Sequence, residues 1–330
     1  MPERPRLTPA IADIRRAVRE ALPTEGLVLV ALSGGPDSLA LAAATAFEAP
    51  RAGLRAGAVI VDHGLQEGSA DVAARASTQA TALGLDPVVI RRALVGTDGG
   101  PEAAARTARY RELDAARVEL GADAILLGHT LDDQAETVLL GLARGSGPAS
   151  LAGMRDRTGA YLRPLLGLRR ETTVQFCADS GLEPWRDPQN DDDAFTRVRV
   201  RRDLLPSLRD ALGPGIPEAL ARTAEQLRED SDALDHFAEE IAEDLAEHSE
   251  AGISLPVKGL QVQPAALRQR LIRLVVASEF HLSLSRAQTL EVARLVTDWH
   301  GQGAIHLPGI KVERQSGLLL FSANADRAPE

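Results

Sequence analysis

Residues 33–38 read Ser-Gly-Gly-Pro-Asp-Ser, between an apolar run at 26–32 and an alanine-rich helical pattern that continues through Phe47. A glycine-rich turn from strand to helix offers backbone N–H groups and the positive end of a helix dipole to an anion. Ser33 and Ser38 add hydroxyl donors, while Gly34, Gly35 and Pro36 shape the turn. The pattern is neither G-x-x-x-x-G-K-S/T nor G-x-G-x-x-G, and the lysine that would reach β and γ phosphates is missing. Asp37 repels a phosphate directly, so its consistent role is to meet one through a magnesium ion.

A second set of side chains lies in "GHTLDDQAETVLLGLARGSG", residues 128–147. Asp133 and Glu136 are three apart, Asp132 and Glu136 four apart, so a helix brings each pair to one face. Carboxylates at a helix start also answer the helix dipole, and that reading stays open. Placed beside a nucleotide, two carboxylates can hold a metal or the ammonium of an amine substrate before it loses a proton. His129 falls at the end of the preceding strand, where it can orient a nucleotide. Arg106 and Arg109 share a face in "EAAARTARYREL", and Arg197 and Arg201 share one in "TRVRVRRDL". Solvated or salt-bridged arginines explain such runs equally well. With lysine confined to Lys258 and Lys311, however, phosphate in the first half must be met by arginine or backbone amides.

Alternating strands and helices must position these groups. Buried-strand patterns at 26–32, 54–65, 86–92 and 123–130 alternate with helical patterns at 36–47, 69–83, about 100–121 and 131–143, predicting a parallel sheet. Ligands in such sheets bind beyond the carboxyl ends of the strands, so Ser33–Ser38, Asp62, His63 and His129–Asp133 share one rim. Asp187–Asn190 reads as a turn ahead of the arginine-rich helix. Proline and glycine cluster at 206–217, dividing a first domain, 1–210, from a mainly helical second one, 211–330. Short strand patterns at 304–309, 311–315 and 318–322 suggest a small β unit there.

The net charge of −10 argues against a nucleic-acid partner until it is located. Residues 218–250 hold twelve acidic residues and two arginines, leaving thirty-five of each sign elsewhere. The excess belongs to one solvated helix, and local basic patches remain available to phosphate. A single cysteine, Cys177, rules out a disulfide framework and a thiolate metal cluster. No apolar run reaches the roughly 18–20 residues of a membrane span, and the first residues lack the apolar centre of a signal peptide. A cytoplasmic protein with no membrane partner is expected, and the sequence leaves a homodimer open.

The Ser-Gly-Gly-Pro-Asp-Ser loop resembles that of the PP-loop, or N-type ATP pyrophosphatase, superfamily. The ordered set SGGPDS, VDHGL, EAAARTARYREL, GHTLDDQAETVLLGLARGSGPASLAGM, RPLL and RDPQN, spanning about 29–208, is similar to the tRNA(Ile)-lysidine synthetase family. The resemblance implies an α/β fold: an N-terminal parallel-sheet, adenine-nucleotide α-hydrolase-like domain and a mainly helical C-terminal domain. It implies ATP and magnesium as cofactors, with free L-lysine and the CAU-anticodon isoleucine tRNA as partners. AMP is transferred to carbon 2 of the wobble cytidine, and the lysine ε-amine then displaces it. On that mapping Ser33–Ser38, Asp62, His63 and His129 bind ATP and Asp37 goes with magnesium and pyrophosphate. Asp133 and Glu136 grip lysine, Arg106 meets the triphosphate or activated cytidine, and Arg109, Arg197 and Arg201 meet tRNA.

Two departures stand out. Val198 occupies the family's usual asparagine position, and the residues after 210 suggest only the helical domain and a small β unit, so the second C-terminal domain of longer members is not expected. Within the superfamily, a tRNA thiolase and an amide-forming synthetase are the alternatives. The thiolases generally need cysteine pairs, which a lone Cys177 does not supply.

Overall fold

A computed structural model describes residues 7–64, 68–96, 100–145, 147–185, 187, 193, 195–249 and 252–324. The chain divides into two compact units, residues 1–225 and 226–330.

The first unit opens with α1 (Pro9–Ala21), β1 (Leu27–Ala31), α2 (Pro36–Glu48), β2 (Arg55–Asp62), α3 (Ser69–Ala82) and β3 (Val88–Arg92). It continues with α4 (Pro101–Leu120), β4 (Ala124–Leu126), α5 (Leu131–Arg144) and α6 (Pro148–Leu151). The short pair β5 (Arg157–Thr158) and β6 (Tyr161–Leu162) leads into α7 (Arg170–Asp179), α8 (Thr196–Arg199) and α9 (Leu205–Leu212). The sheet order is β3-β2-β1-β4-β6-β5, parallel throughout except for the β5–β6 hairpin.

Every residue of β1 is buried, as expected of a central strand covered on both faces. Its side chains alternate between two cores. Val28 and Val30 join α1, α2, α3 and α7, and Leu27, Leu29 and Ala31 join α4. From β1 the chain winds through β2 to β3, then returns to place β4 on the other side of β1. The crevice between the carboxyl ends of β1 and β4 is therefore the switch point of the sheet. At that crossing a Cβ on Gly128 would lie 3.1 Å from the backbone of Asp37 and Ser38, so only glycine lets the end of β4 approach the start of α2 without a shift.

The division between units falls within α10 (Ile216–Leu245), the acidic helix read from sequence. The second unit contains β7 (Glu247–Ser249), β8 (Gly252–Pro256), α11 (Val257–Gln261), α12 (Ala265–Phe280) and α13 (Arg286–Thr297). It ends with β9 (Ile305–Leu307), β10 (Ile310–Gln315) and β11 (Leu318–Ala323). Its sheet is antiparallel in the order β7-β8-β11-β10-β9, and its inner face packs on α12 and α13 through Leu255, Leu271, Val292, Val312 and Phe321. A mainly helical unit with a small sheet is thus present. The sheet is larger than the sequence patterns alone indicate, because β7 and β8 join it.

Phe321 is the largest fully buried side chain of this core, whereas Leu290 is 39% exposed. Phe321→Ala is expected to cost about 3–5 kcal/mol and Leu290→Ala within about 0.5 kcal/mol, as read from urea denaturation.

Candidate active site

The loop 33–38 forms as β1 ends and α2 begins at Pro36. Gly34 has φ +83°, a left-handed conformation that favours glycine. Ser38 closes the turn: its Oγ accepts from the Ser33 backbone N–H at 3.2 Å and donates to the Gly35 carbonyl at 3.1 Å. The Ser33 and Ser38 hydroxyls lie 3.1 Å apart.

Beside the loop, beyond β1 and β2, is a cleft of about 270 Å³, the scale of a small-molecule site. Ser33, Asp62, His63, Arg109, Trp185 and Asp187 are among its lining residues. The structure thus brings Asp62 and His63 to the loop as the sequence places them, and adds Arg109. Burial lowers the pKa of Arg109, and nearby Arg106 lowers it further. Burial likewise lowers the pKa of His63, helped by Arg109 and opposed by Asp62, and its Nδ1 is buried without a hydrogen-bond partner. Arg106 lies exposed, with its guanidinium 4.9 Å over the Tyr110 ring and Nη2 donating to the Tyr110 hydroxyl at 3.3 Å.

On the other side of the loop, at the switch point, five arginines meet five carboxylates. Asp133 caps its own helix by accepting the Thr130 N–H and hydroxyl at Oδ2, at 2.8 and 2.9 Å, and presents Oδ1 to Arg170 at 2.8 Å. Glu136, one turn on, has no solvent exposure. It receives Arg197 Nε at 2.9 Å and Arg201 Nε at 2.7 Å, with Arg170 Nη1 at 3.5 Å. Asp132 accepts the Arg170 backbone N–H and the Arg209 guanidinium, each at 2.8 Å. Arg169 also approaches Asp132, at 3.7 Å, and forks onto Glu218. Asp37 accepts Arg170 Nε at 3.2 Å and the Thr173 hydroxyl.

These contacts set the protonation states. Burial pushes Asp133 upward, but Arg170, the Thr130 N–H and Arg197 outweigh it and hold the carboxyl at about 2. Burial raises the Asp37 pKa, with Arg170 and Thr173 opposing. Burial drives His129 down to about 3, so it is neutral near pH 7, and its Nδ1 is buried without a hydrogen-bond partner. Cys177 is buried and its thiol is pushed up to about 12, which makes it unreactive.

Sequence reasoning found the loop, Asp133, Glu136, Arg197 and Arg201, but missed Arg169, Arg170, Thr173 and Arg209. One signal was available: Arg169 and Arg170 sit at the N-terminal end of α7, where the helix dipole disfavours a cation, so both require carboxylates from elsewhere. Arg197 and Arg201 share a face as expected and turn it toward Glu136, the first just ahead of a π-helical turn beginning at Val200 and the second within it. Of the expected turn at Asp187–Asn190, residues 188–190 lie outside the described residues.

A Ser-Gly-Gly-Pro-Asp-Ser turn between β1 and α2, at the switch point of a parallel sheet, fits the PP-loop class of ATP-using enzymes. The family profile described as "PP-loop domain" matches residues 8–208, and the "TilS substrate binding domain" matches residues 255–320. The tRNA(Ile)-lysidine synthase of Leifsonia xyli subsp. xyli is 65% identical over 296 residues, covering 89% of both chains. That of Thermobifida fusca is 52% identical over 322 residues, covering 96% of this chain and 98% of its own. In structure, the U34-tRNA thiolase NcsA of Methanococcus maripaludis matches with a TM-score of 0.56 at 20% identity, covering 67% of this chain and 80% of its own, a likeness of fold. The chain belongs to the tRNA(Ile)-lysidine synthase family of ATP-using ligases.

Because the folded Asp133 titrates at about 2 against an ordinary 3.8, its ionic contribution to stability is complete above about pH 4 and lost as pH falls toward 2. Asp133→Asn is expected to be less stable than wild type near neutral pH, with the gap closing over about pH 4 to 2. Urea titrations across that range check this; a gap that does not narrow shows that Asp133 is not an ionic anchor.

Proposed function

We infer that this chain converts the wobble cytidine of CAU-anticodon isoleucine tRNA to lysidine, using ATP and free L-lysine. The observation that carries the reading is the closeness of two unlike anionic sites. Asp37 stands in the phosphate loop, while Asp133 and Glu136 form a buried pair joined to it through one guanidinium. The first suits a nucleoside triphosphate approached through a cation, and the second suits an amine.

In the first step the cytidine O2 attacks the α-phosphorus, forming an O–P bond as the bond to pyrophosphate breaks. The loop amides and the Ser33 hydroxyl hold the departing pyrophosphate, and the Ser38 hydroxyl, which donates to the Gly35 carbonyl, braces the turn that presents them. His63 and Arg109 line the cleft that takes the nucleoside, and His129, neutral in the loop that follows β4, orients it. Asp37 is the residue that would hold magnesium. Each of its oxygens has one protein partner and a lone pair to spare, which fits an ion bound by one carboxylate and substrate phosphates. Bound there, the ion would neutralise phosphate charge.

In the second step the lysine ε-amine attacks carbon 2, and the bond from that carbon to the AMP oxygen breaks. Asp133 and Glu136 hold lysine as a cation until its attacking nitrogen is deprotonated. Arg197 and Arg201 donate to Glu136. An ammonium arriving there takes over part of the negative charge, leaving guanidinium donors for RNA phosphates. Arg106, exposed on α4, is a further contact for the activated cytidine or its phosphate. A cytoplasmic setting fits such a reaction, and among the described residues no helix is long and apolar enough to cross a membrane.

The test incubates the protein with ATP, magnesium, radiolabelled lysine and unmodified tRNA, then digests the RNA and separates nucleosides. Lysine retained on cytidine of the isoleucine tRNA is the expected result; absence of tRNA-dependent pyrophosphate release overturns the reading. Asp37→Ala is expected to abolish AMP transfer, whereas Glu136→Gln spares it and raises the lysine requirement about tenfold or more. Equal loss of AMP transfer in both variants rejects the lysine assignment.

A further inference from the structure

The first turn of α7 touches four of the five carboxylates of the centre. The Arg170 backbone N–H donates to Asp132, and its side chain reaches Asp37 through Nε at 3.2 Å, Asp133 through Nη2 at 2.8 Å and Glu136 through Nη1 at 3.5 Å. Thr173, one turn along the same helix, donates to the other oxygen of Asp37. All three guanidinium nitrogens are therefore committed, each to a different carboxylate. Those carboxylates come from α2 and α5, the helices that follow the two strands of the switch point.

We propose that Arg170 is the positioning residue that ties the ATP end of the reaction to the lysine end, providing a fixed positive charge beside a loop that has no lysine. The inference rests on the placement of ATP at Asp37 and of lysine at Asp133 and Glu136. Three carboxylates this close repel one another, and only a cation shared among them keeps them together and ionised. The planar fork fixes their relative positions as well as their charge. A shift of Asp37 that accompanies phosphate binding is thus transmitted to the face of Asp133 and Glu136 that receives the amine. Lysine could not do the same, because a single ammonium on a flexible stem has no fixed fork.

The test measures two parameters on full-length protein: the single-turnover rate of AMP transfer to tRNA without lysine, and the KM for lysine in the complete reaction. Arg170→Gln is expected to slow AMP transfer about tenfold or more and to raise the lysine KM by a similar factor. Arg170→Lys should displace both in the same sense by less. Arg19→Gln, which removes a guanidinium from buried Glu48 at the far end of α2, outside the centre, should leave both within about twofold. Melting temperatures accompany each variant, because a purely structural role lowers them without moving the lysine KM.

The proposal is overturned if Arg170→Gln moves only one parameter, if both stay within about twofold, or if Arg19→Gln matches it. Should Arg170→Gln fail to fold, Arg170→Lys is judged by the same criteria. Asp37→Ala and Glu136→Gln separate the two layers of argument. If each affects its own step, the functional reading stands and the Arg170 result decides the coupling alone; if they do not, the reading itself fails.

Discussion

Glu136 is a carboxylate with no exposure to solvent, and the centre of the first unit is organised around making that tolerable. An ionised carboxylate removed from water costs several kcal/mol unless charge and hydrogen bonds replace the water. Three arginines supply both, from two segments distant in sequence: Arg170 at the start of α7, and Arg197 and Arg201 around a π-helical turn. Their own surplus charge is met by Asp37 and Asp133, and Arg169 and Arg209 neutralise Asp132 and Glu218 in the same way. Removing any one partner leaves a charge exposed to its like, so the segment around 200, α5, α7 and the phosphate loop depend on one another.

The scaffold was legible in the sequence because it is written in local patterns. A continuous apolar strand followed by a glycine turn and an alanine-rich helix admits few readings, and β1, α2, β2 and α3 fall where those patterns put them, whereas β4 keeps only residues 124–126 of the expected 123–130. The short strands were harder. β5 and β6 have two residues each, too few for any period, and β7 has only three, at the end of an acidic helix. The loop, Asp133 and Glu136 were legible for a different reason: residue type and spacing limit what chemistry they can do.

The charge partners were not legible, and the reason is sequence distance. Arg170 lies 133 positions from Asp37 and 37 from Asp133. No period or motif links residues so far apart; only the sheet order does, by bringing the ends of β1 and β4 together. The two arginines of α4 make the same point. Spacing alone put Arg106 and Arg109 on one face, yet one sits over Tyr110 in solvent and the other lines the cleft. Three residues of helix separate an exposed cation from one depressed by burial.

The near-absence of lysine follows from the same physics. A Walker loop places one mobile ammonium against the phosphates that its reaction parts. Here the loop keeps a carboxylate in that region, and the balancing charge is held on a neighbouring helix by side chains that each bind more than one partner. Arg170 meets three carboxylates, Arg169 two, and Arg201 reaches both Asp133 and Glu136. Only a rigid, always-charged fork can be shared in this way. On the proposed function, a centre that accepts a polyphosphate and an ammonium within one small volume needs both signs present and mutually neutralised, so that either substrate can take over a partner. Arginine paired with buried carboxylates meets that requirement, whereas a lone loop lysine would satisfy the phosphate and repel the amine.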